Sequence, residues 1–265
     1  AVLKEIMAEY NPNYTSEDLL ALYSFTGGVA KYVQLLVDAG ATTKTKMLNH
    51  IIKADSVFLG EGKAILIEEF GKDYGVYFSI LSAIARGKTL RSEIEQIVGK
   101  EIGGYLTKLE KEYEVITKNQ PIFEKSSTKS VRYTIEDNFF TFWFRFIYKY
   151  NYMLEIENYD AVKTIINRDY ETFSGKMLER YFKRVLMESK AYTRIGSWWD
   201  RKGENEIDIV AENELNDEAV FIEVKRKEEN FDEEVLSEKV GIFIRATGKF
   251  KDYSVSQKGL SMTDM

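Results

Sequence analysis

Residues 206–225 read EIDIVAENELNDEAVFIEVK, and the order of charged and apolar residues within them decides the fold of the last third of the chain. Successive side chains on a strand point to opposite faces. In Glu206-Ile207-Asp208-Ile209 the two acids therefore share one face and the two isoleucines the other. Ile222-Glu223-Val224-Lys225 repeats the alternation, with an acid and a lysine on the charged face. Glu214-Leu215-Asn216-Asp217 supplies the turn between the two segments. A turn centred between Leu215 and Asn216 sets Asp208 opposite Glu223 and Glu206 opposite Lys225. Cross-strand Cβ separations are then about 5 Å. Two carboxylates that close repel unless a positive group lies between them. A hard divalent cation such as Mg2+, or Mn2+ in its place, suits oxygen ligands and keeps several waters. A lysine beside it can orient or help deprotonate the attacking water, or stabilise charge developing on a phosphate. The pattern fits a phosphodiester hydrolysis site, and it is also what any half-exposed hairpin with a solvated outer face shows.

Around the hairpin, Tyr192 to Trp199, Glu206 to Glu212 and Ala219 to Lys227 read as successive strands. Phe231 to Lys239 reads as a helix and Gly241 to Ala246 as a fourth strand. Residues 155–190 read as several further helices, including Tyr170 to Glu188. Trp198 and Trp199 fall on opposite strand faces, so at least one belongs to the core. Arg201 and Lys202, in the loop before the acidic strand, are candidates for reaching a substrate phosphate, or plain surface charges.

Residues 1–60 read as all-helical, with Thr15 or Ser16 capping a helix that Gly27-Gly28 breaks. In residues 74–150, Val76 to Arg86, Leu90 to Val98 (capped by Thr89) and Lys100 to Tyr113 read as three helices. Glu114 to Lys118 and Val131 to Ile135 follow as strands around a polar loop, Asn119 to Ser130. Three helices and a two-stranded ribbon are the winged helix-turn-helix order. Its third helix offers Lys100, Lys108 and Lys111, and its ribbon Lys118, Lys125, Lys129 and Arg132, for contact with DNA phosphates. Interleaved acids, Glu101, Glu110, Glu112 and Glu114, count against such contact and leave a protein-docking module or rigid spacer as the alternative. Phe139 to Tyr150 (FFTFWFRFIYKY) reads as an aromatic helix whose spacing suits a packed core better than a base-stacking platform.

Composition narrows the chemistry. The chain has no cysteine, which excludes disulfides, thiolate metal sites and a cysteine nucleophile and fits a cytoplasmic location. Its one histidine, His50, precludes a histidine-cluster metal site and reads as a helix surface or boundary residue. A net charge of -6 gives no global attraction to nucleic acid. No apolar run is long enough to span a bilayer. Ala1-Val2-Leu3-Lys4-Glu5-Ile6 is no signal peptide and opens as if in mid-domain, so a fragment of a longer protein is expected.

The ordered elements of the last third resemble the PD-(D/E)xK nuclease superfamily. The resemblance matches Asp208 to the motif aspartate, Glu223 to the second acid and Lys225 to the lysine. It matches Glu179, in Gly175-Lys176-Met177-Leu178-Glu179, to the glutamate of the first helix. Glu206 is an extra acid beside the motif that would support the ligands, and no proline precedes Asp208. The resemblance implies a metal site of Glu179, Asp208 and Glu223, with Asp208, Glu223 and Lys225 as the catalytic set. Across the whole chain, Gly27-Gly28-Val29-Ala30-Lys31-Tyr32-Val33, the winged-helix-like centre, Phe142-Trp143-Phe144-Arg145-Phe146 and Trp198-Trp199-Asp200-Arg201 resemble archaeal-type AAA/STAND ATPases. In these an N-terminal P-loop domain precedes a lid, a winged helix and a nuclease-like domain (DUF234). The family usually has proline where Ala30 stands, and no G-x-x-x-x-G-K-[ST] occurs in this sequence. ATP is therefore not expected to bind this chain.

The implied architecture is an α+β multidomain chain. Residues 1–60 are a helical lid remnant, 61–150 a winged helix-turn-helix with its trailing aromatic helix, and 151–265 a helical linker with a restriction-endonuclease-like α/β domain. The expected partners are DNA and the protein's own N-terminal ATPase domain, with no membrane. Three functions compete: a metal-dependent nuclease domain, a non-catalytic DNA- or protein-docking regulatory module of an ATPase, and a winged-helix transcription regulator.

Overall fold

The computed structural model describes residues 2–124 and 130–265 as a mixed α+β chain of two compact units. One unit is Ala1–Asn119 with Arg132–Glu171, the other Gln120–Val131 with Thr172–Met265.

The first unit opens on helices α1 (Val2–Tyr10), α2 (Ser16–Thr26), α3 (Ala30–Asp38), α4 (Lys44–Ile51) and α5 (Val57–Phe70). Thr15 is the cap of α2: its hydroxyl accepts from the Asp18 N–H at 3.2 Å while Asp18 Oδ2 accepts from the Thr15 N–H at 3.0 Å. Gly27, at φ 63°, ends that helix in the left-handed conformation. Next come α6 (Tyr74–Ala85), α7 (Arg91–Val98), α8 (Gly103–Lys111) and strands β1 (Ile116–Asn119) and β2 (Arg132–Ile135). The strands pair antiparallel from Ile116↔Ile135 to Asn119↔Arg132. Leu90, not Thr89, stands at the N-cap of α7, and the Glu93 carboxylate accepts its N–H at 3.2 Å. The Thr89 carbonyl accepts instead from the Tyr133 N–H at 2.8 Å.

The aromatic run is α9 (Asn138–Phe142) continued by a π-helical turn, Trp143–Tyr148, before α10 (Asn151–Glu155). Phe139, Phe142, Trp143, Phe144 and Phe146 are all buried, so the run is core and not a stacking surface. The Trp143 indole N–H donates to the Leu59 carbonyl at 3.1 Å, and its ring lies so close to Gly62 that an added Cβ would meet it at 2.4 Å. Helix α11 (Tyr159–Ser189) is one continuous element, where several shorter helices were expected from residues 155–190.

In the second unit, β3 (Arg194–Trp199), β4 (Glu206–Asn213), β5 (Glu218–Val224) and β6 (Ser254–Leu260) form a sheet in that order. The first two pairings are antiparallel and β5 pairs with β6 in parallel, through the crossover helix α12 (Glu233–Thr247). The expected strand Gly241–Ala246 is thus the C-terminal half of α12. Leu236, Val240 and Phe243 recur at helical spacing and are all buried, which outweighs the helix-weakening Gly241 between them. Asp232 caps the start and Gly248, at φ 68°, the end. The true fourth strand, SVSQKGL, is a sheet edge and needs only a weak apolar pattern, which hides it from periodicity.

Aromatic side chains fill the core of this unit. The Phe243 ring lies 5.1 Å from Phe221, 5.5 Å from Trp198, 5.8 Å from Phe250 and 6.2 Å from Phe123. Phe123 comes from the segment read as a polar loop. Its neighbour Ile122 is buried in the same core and donates its N–H to the Ser197 carbonyl at 2.9 Å. That bond falls where the β3–β4 register shifts between Gly196 and Trp198, and both Trp198 and Trp199 are buried.

Candidate active site

Ile209 pairs with Ile222, which is the register that sets Asp208 against Glu223. The ladder stops there, and the Asp208 carboxylate accepts the Val224 N–H at 2.8 Å in place of the next rung. Glu223 is buried, 7% exposed. Its Oε1 accepts from Lys225 Nζ at 2.9 Å and from Lys239 Nζ, on α12, at 3.0 Å. Its Oε2 is buried and has no hydrogen-bond partner among the described residues. Glu179, on α11, pairs with Lys176 one turn earlier, with Nζ 3.0 Å from Oε1 and 3.1 Å from Oε2. Arg226 donates to the buried Ser174 hydroxyl, tying the end of β5 to α11. Glu206 pairs across the sheet with Trp199, and its charge acts on both Lys176 and Glu179.

The titration of the cluster reflects this crowding. Burial, then the Glu223 carboxylate, push Asp208 up to about 6, against the Val224 N–H and the ammonium groups of Lys176 and Lys225. Burial, then Asp208, push Glu179 up to about 7, against Lys176. Lys225 and Lys176 are held above the ordinary lysine value: burial works against their charge, but the surrounding carboxylates outweigh it. Raised carboxylate values in a cluster of like charges accompany functional sites and also structural ion-pair networks. Among the described residues no three His, Cys, Asp or Glu side chains are grouped so that they could hold a metal ion. A Mg2+ site asks for less, one or two carboxylates with waters and substrate phosphates completing the shell. Glu223 Oε2, buried and without a hydrogen-bond partner among the described residues, on a carboxylate whose charge acts on Asp208, fits that requirement.

The raised Glu179 value carries a stability consequence. A carboxyl whose folded pKa lies above its ordinary 4.5 stabilises the fold in its neutral form, fully below about pH 4.5, and loses that contribution as pH rises through about 7. Glu179→Gln should therefore raise the melting temperature of metal-free protein at pH 8 by about 4 °C, on the order of 1 kcal/mol. It should also flatten the decline of stability between pH 5 and pH 7. Thermal melts across pH measure this, and a variant that melts lower than wild type at pH 8 contradicts it.

The basic residues singled out for nucleic acid fall on separate units. In the first, Lys100 lies 4.7 Å over the Tyr105 ring and donates to its hydroxyl at 3.2 Å. Lys108 is exposed in the last turn of α8, Lys118 is exposed on β1 opposite Tyr133, and half-buried Arg132 is opposite Asn119 on β2. Lys125 and Lys129 lie outside the described residues. In the second unit, Arg201 and Lys202 are exposed on a loop organised by Asp200. The Asp200 carboxylate accepts the N–H groups of Lys202, Glu204 and Asn205. His50 lies in the last turn of α4, beside Lys53 and edge-on to Phe58, with burial and Lys53 lowering its pKa. The sequence reading missed Lys176 and Lys239. Lys176 was legible as the residue one helical turn before Glu179, whereas nothing local marks Lys239.

The fold and the cluster define a mixed α+β protein whose second sheet carries buried acids paired with lysines. Residues 143–238 match the family DUF234, described as archaea bacterial proteins of unknown function, so the chain contains a DUF234 region. It is also similar to an uncharacterized protein of Methanocaldococcus jannaschii, 31% identical over 237 residues, which is 84% of this chain and 51% of the relative. The chain spans about half the length of that relative. No solved structure matches it. Among the described residues no helix is long and apolar enough to cross a membrane.

Proposed function

We propose that residues 172–265 are a PD-(D/E)xK nuclease-like domain that hydrolyses DNA phosphodiesters with Mg2+ or Mn2+. In the same reading, residues 74–135 form a winged helix, and the chain is the C-terminal part of an archaeal-type ATPase whose P-loop lies elsewhere. The observation that carries the nuclease reading is the register-driven approach of Asp208 to Glu223, with the Lys225 ammonium 2.9 Å from Glu223 Oε1 and the buried Oε2 without a hydrogen-bond partner among the described residues. Asp208 and Glu223 would hold the cation, with Glu179 and Glu206 completing the negative environment. The bound cation would supply Lewis-acid polarisation of the phosphate and a water more easily deprotonated. Lys225 holds a positive charge where it orients that water and stabilises charge developing on the phosphate. Lys176 and Glu179 keep a proton available at the helix side of the cluster.

A second reading, a docking module that retains the fold without the chemistry, is favoured by one observation. Lys176, Lys225 and Lys239 already give the carboxylates cationic partners. Incubation of purified protein with plasmid and Mg2+ or Mn2+, beside Lys225→Ala, separates the two. Nicking or linearisation by wild type that drops at least a hundredfold in the variant supports the nuclease. No cleavage, or equal cleavage by both, removes the nuclease reading and leaves the docking module.

A further inference from the structure

Glu223 is unevenly served. Two ammonium groups, from Lys225 and Lys239, share Oε1, while the buried Oε2 accepts nothing among the described residues. The two lysines are not equivalent. Lys225 follows Glu223 on the same strand end and also acts on Asp208 and Glu179, so it belongs to the whole cluster. Lys239 reaches in from α12, and its ion pair is with Glu223, in a setting where the lysine side chain is 19% and the glutamate side chain 10% exposed. An ion pair this enclosed is weakly screened by solvent. A second cation on an oxygen already paired does more to neutralise the carboxylate than to complete its hydrogen bonding, since the other oxygen remains empty.

We propose that Lys239 is a positioning residue that holds Glu223 Oε1 in place in the metal-free protein and gives it up when a divalent cation takes over the pairing with that carboxylate, so that metal entry is an exchange against the Lys239 ammonium. The inference rests on the metal-site reading above and adds a residue that the nuclease motif does not contain. Its signature is a pair of opposite effects. Without Lys239, Glu223 keeps one cation instead of two, which destabilises the metal-free fold. The same loss removes a positive charge that competes with an incoming cation for the Glu223 carboxylate, which strengthens metal binding. A lysine with a structural role alone would weaken both.

The test is calorimetric titration of Mn2+ into wild type, Lys239→Met and Lys239→Gln, with thermal melts of each in chelator and in Mn2+. The glutamine variant keeps a hydrogen-bond donor for Glu223 and guards against misfolding. The expected result is Mn2+ affinity about tenfold tighter in both variants, roughly 1.4 kcal/mol, together with lower melting temperatures in chelator and a larger rise on adding Mn2+. Unchanged or weaker Mn2+ affinity in folded variants, with wild type binding normally, overturns the exchange and leaves the metal site intact. Absence of Mn2+ binding up to millimolar concentration in all three proteins overturns the metal-site reading, and the exchange with it.

Discussion

Replacement of Phe243 by alanine is expected to cost the second unit about 3–5 kcal/mol of stability, the usual range for deleting a buried phenylalanine ring. The side chain is fully buried, and four aromatic rings converge on it: Phe221 from β5, Trp198 from β3, Phe250 from the segment before β6, and Phe123 from the segment between β1 and β2. Rings from such separate parts of the chain cannot all move inward to fill the space, so most of the cavity would persist. Domains are stable by only about 5–15 kcal/mol, so the loss removes a large share of the total. Chemical denaturation followed by tryptophan fluorescence reports it, because Trp198 borders the ring. A cost below about 1 kcal/mol would mean that these rings do not pack around Phe243. The variant should also weaken the candidate site, since Lys239 and the core-facing Phe243 occupy the same helix.

Asp208→Asn is expected to abolish divalent-metal-dependent cleavage, by roughly a thousandfold or more, while making the metal-free protein more stable above pH 6. Asparagine keeps an oxygen that can accept the Val224 N–H, so the strand end should stay in place. What disappears is one negative charge from a ligand that would help hold the cation. A cation at such a centre supplies several kcal/mol of transition-state stabilisation, and each 1.36 kcal/mol is tenfold in rate. The stability gain follows from the raised pKa. Burial and Glu223 push Asp208 from 3.8 to about 6, so its neutral form is the comfortable one in the fold. The stabilisation from that form is complete below about pH 3.8 and lost as pH rises through about 6. Asparagine is neutral at every pH and escapes the loss. Loss of cleavage with a higher melting temperature at pH 8 would mark a residue kept for chemistry at the expense of stability. Undiminished cleavage would remove Asp208 from the site. A fall in both cleavage and stability would make its role structural.

Local pattern sufficed for much of this chain. The capping pair Thr15 and Asp18, the break at Gly27, the helices ahead of the β1–β2 ribbon and the hairpin register are all written in residues close together in the sequence. Register is legible there because strand side chains alternate with a period of two and the turn is short, so a one-residue slip would exchange the faces on which Asp208 and Ile209 lie. Tertiary packing overruled local pattern in three places. Gly241 does not end α12, because Leu236, Val240 and Phe243 bury one continuous stripe against the sheet. The segment after Asn119 is not simply polar, because Ile122 and Phe123 supply core to the unit formed mainly by residues 172–265. Ser254–Leu260 is a strand because β5 offers it a parallel partner, not because its own residues favour one. The same division runs through the candidate site. Asp208, Glu223 and Lys225 come together through a hairpin, an encounter the sequence itself encodes. Lys176 and Lys239 reach the acids through α11 and α12, and Glu223 Oε2, which has no hydrogen-bond partner among the described residues, is buried in the packed unit. Periodicity assigns a residue to a face; the packing of distant elements decides which charges that face must share.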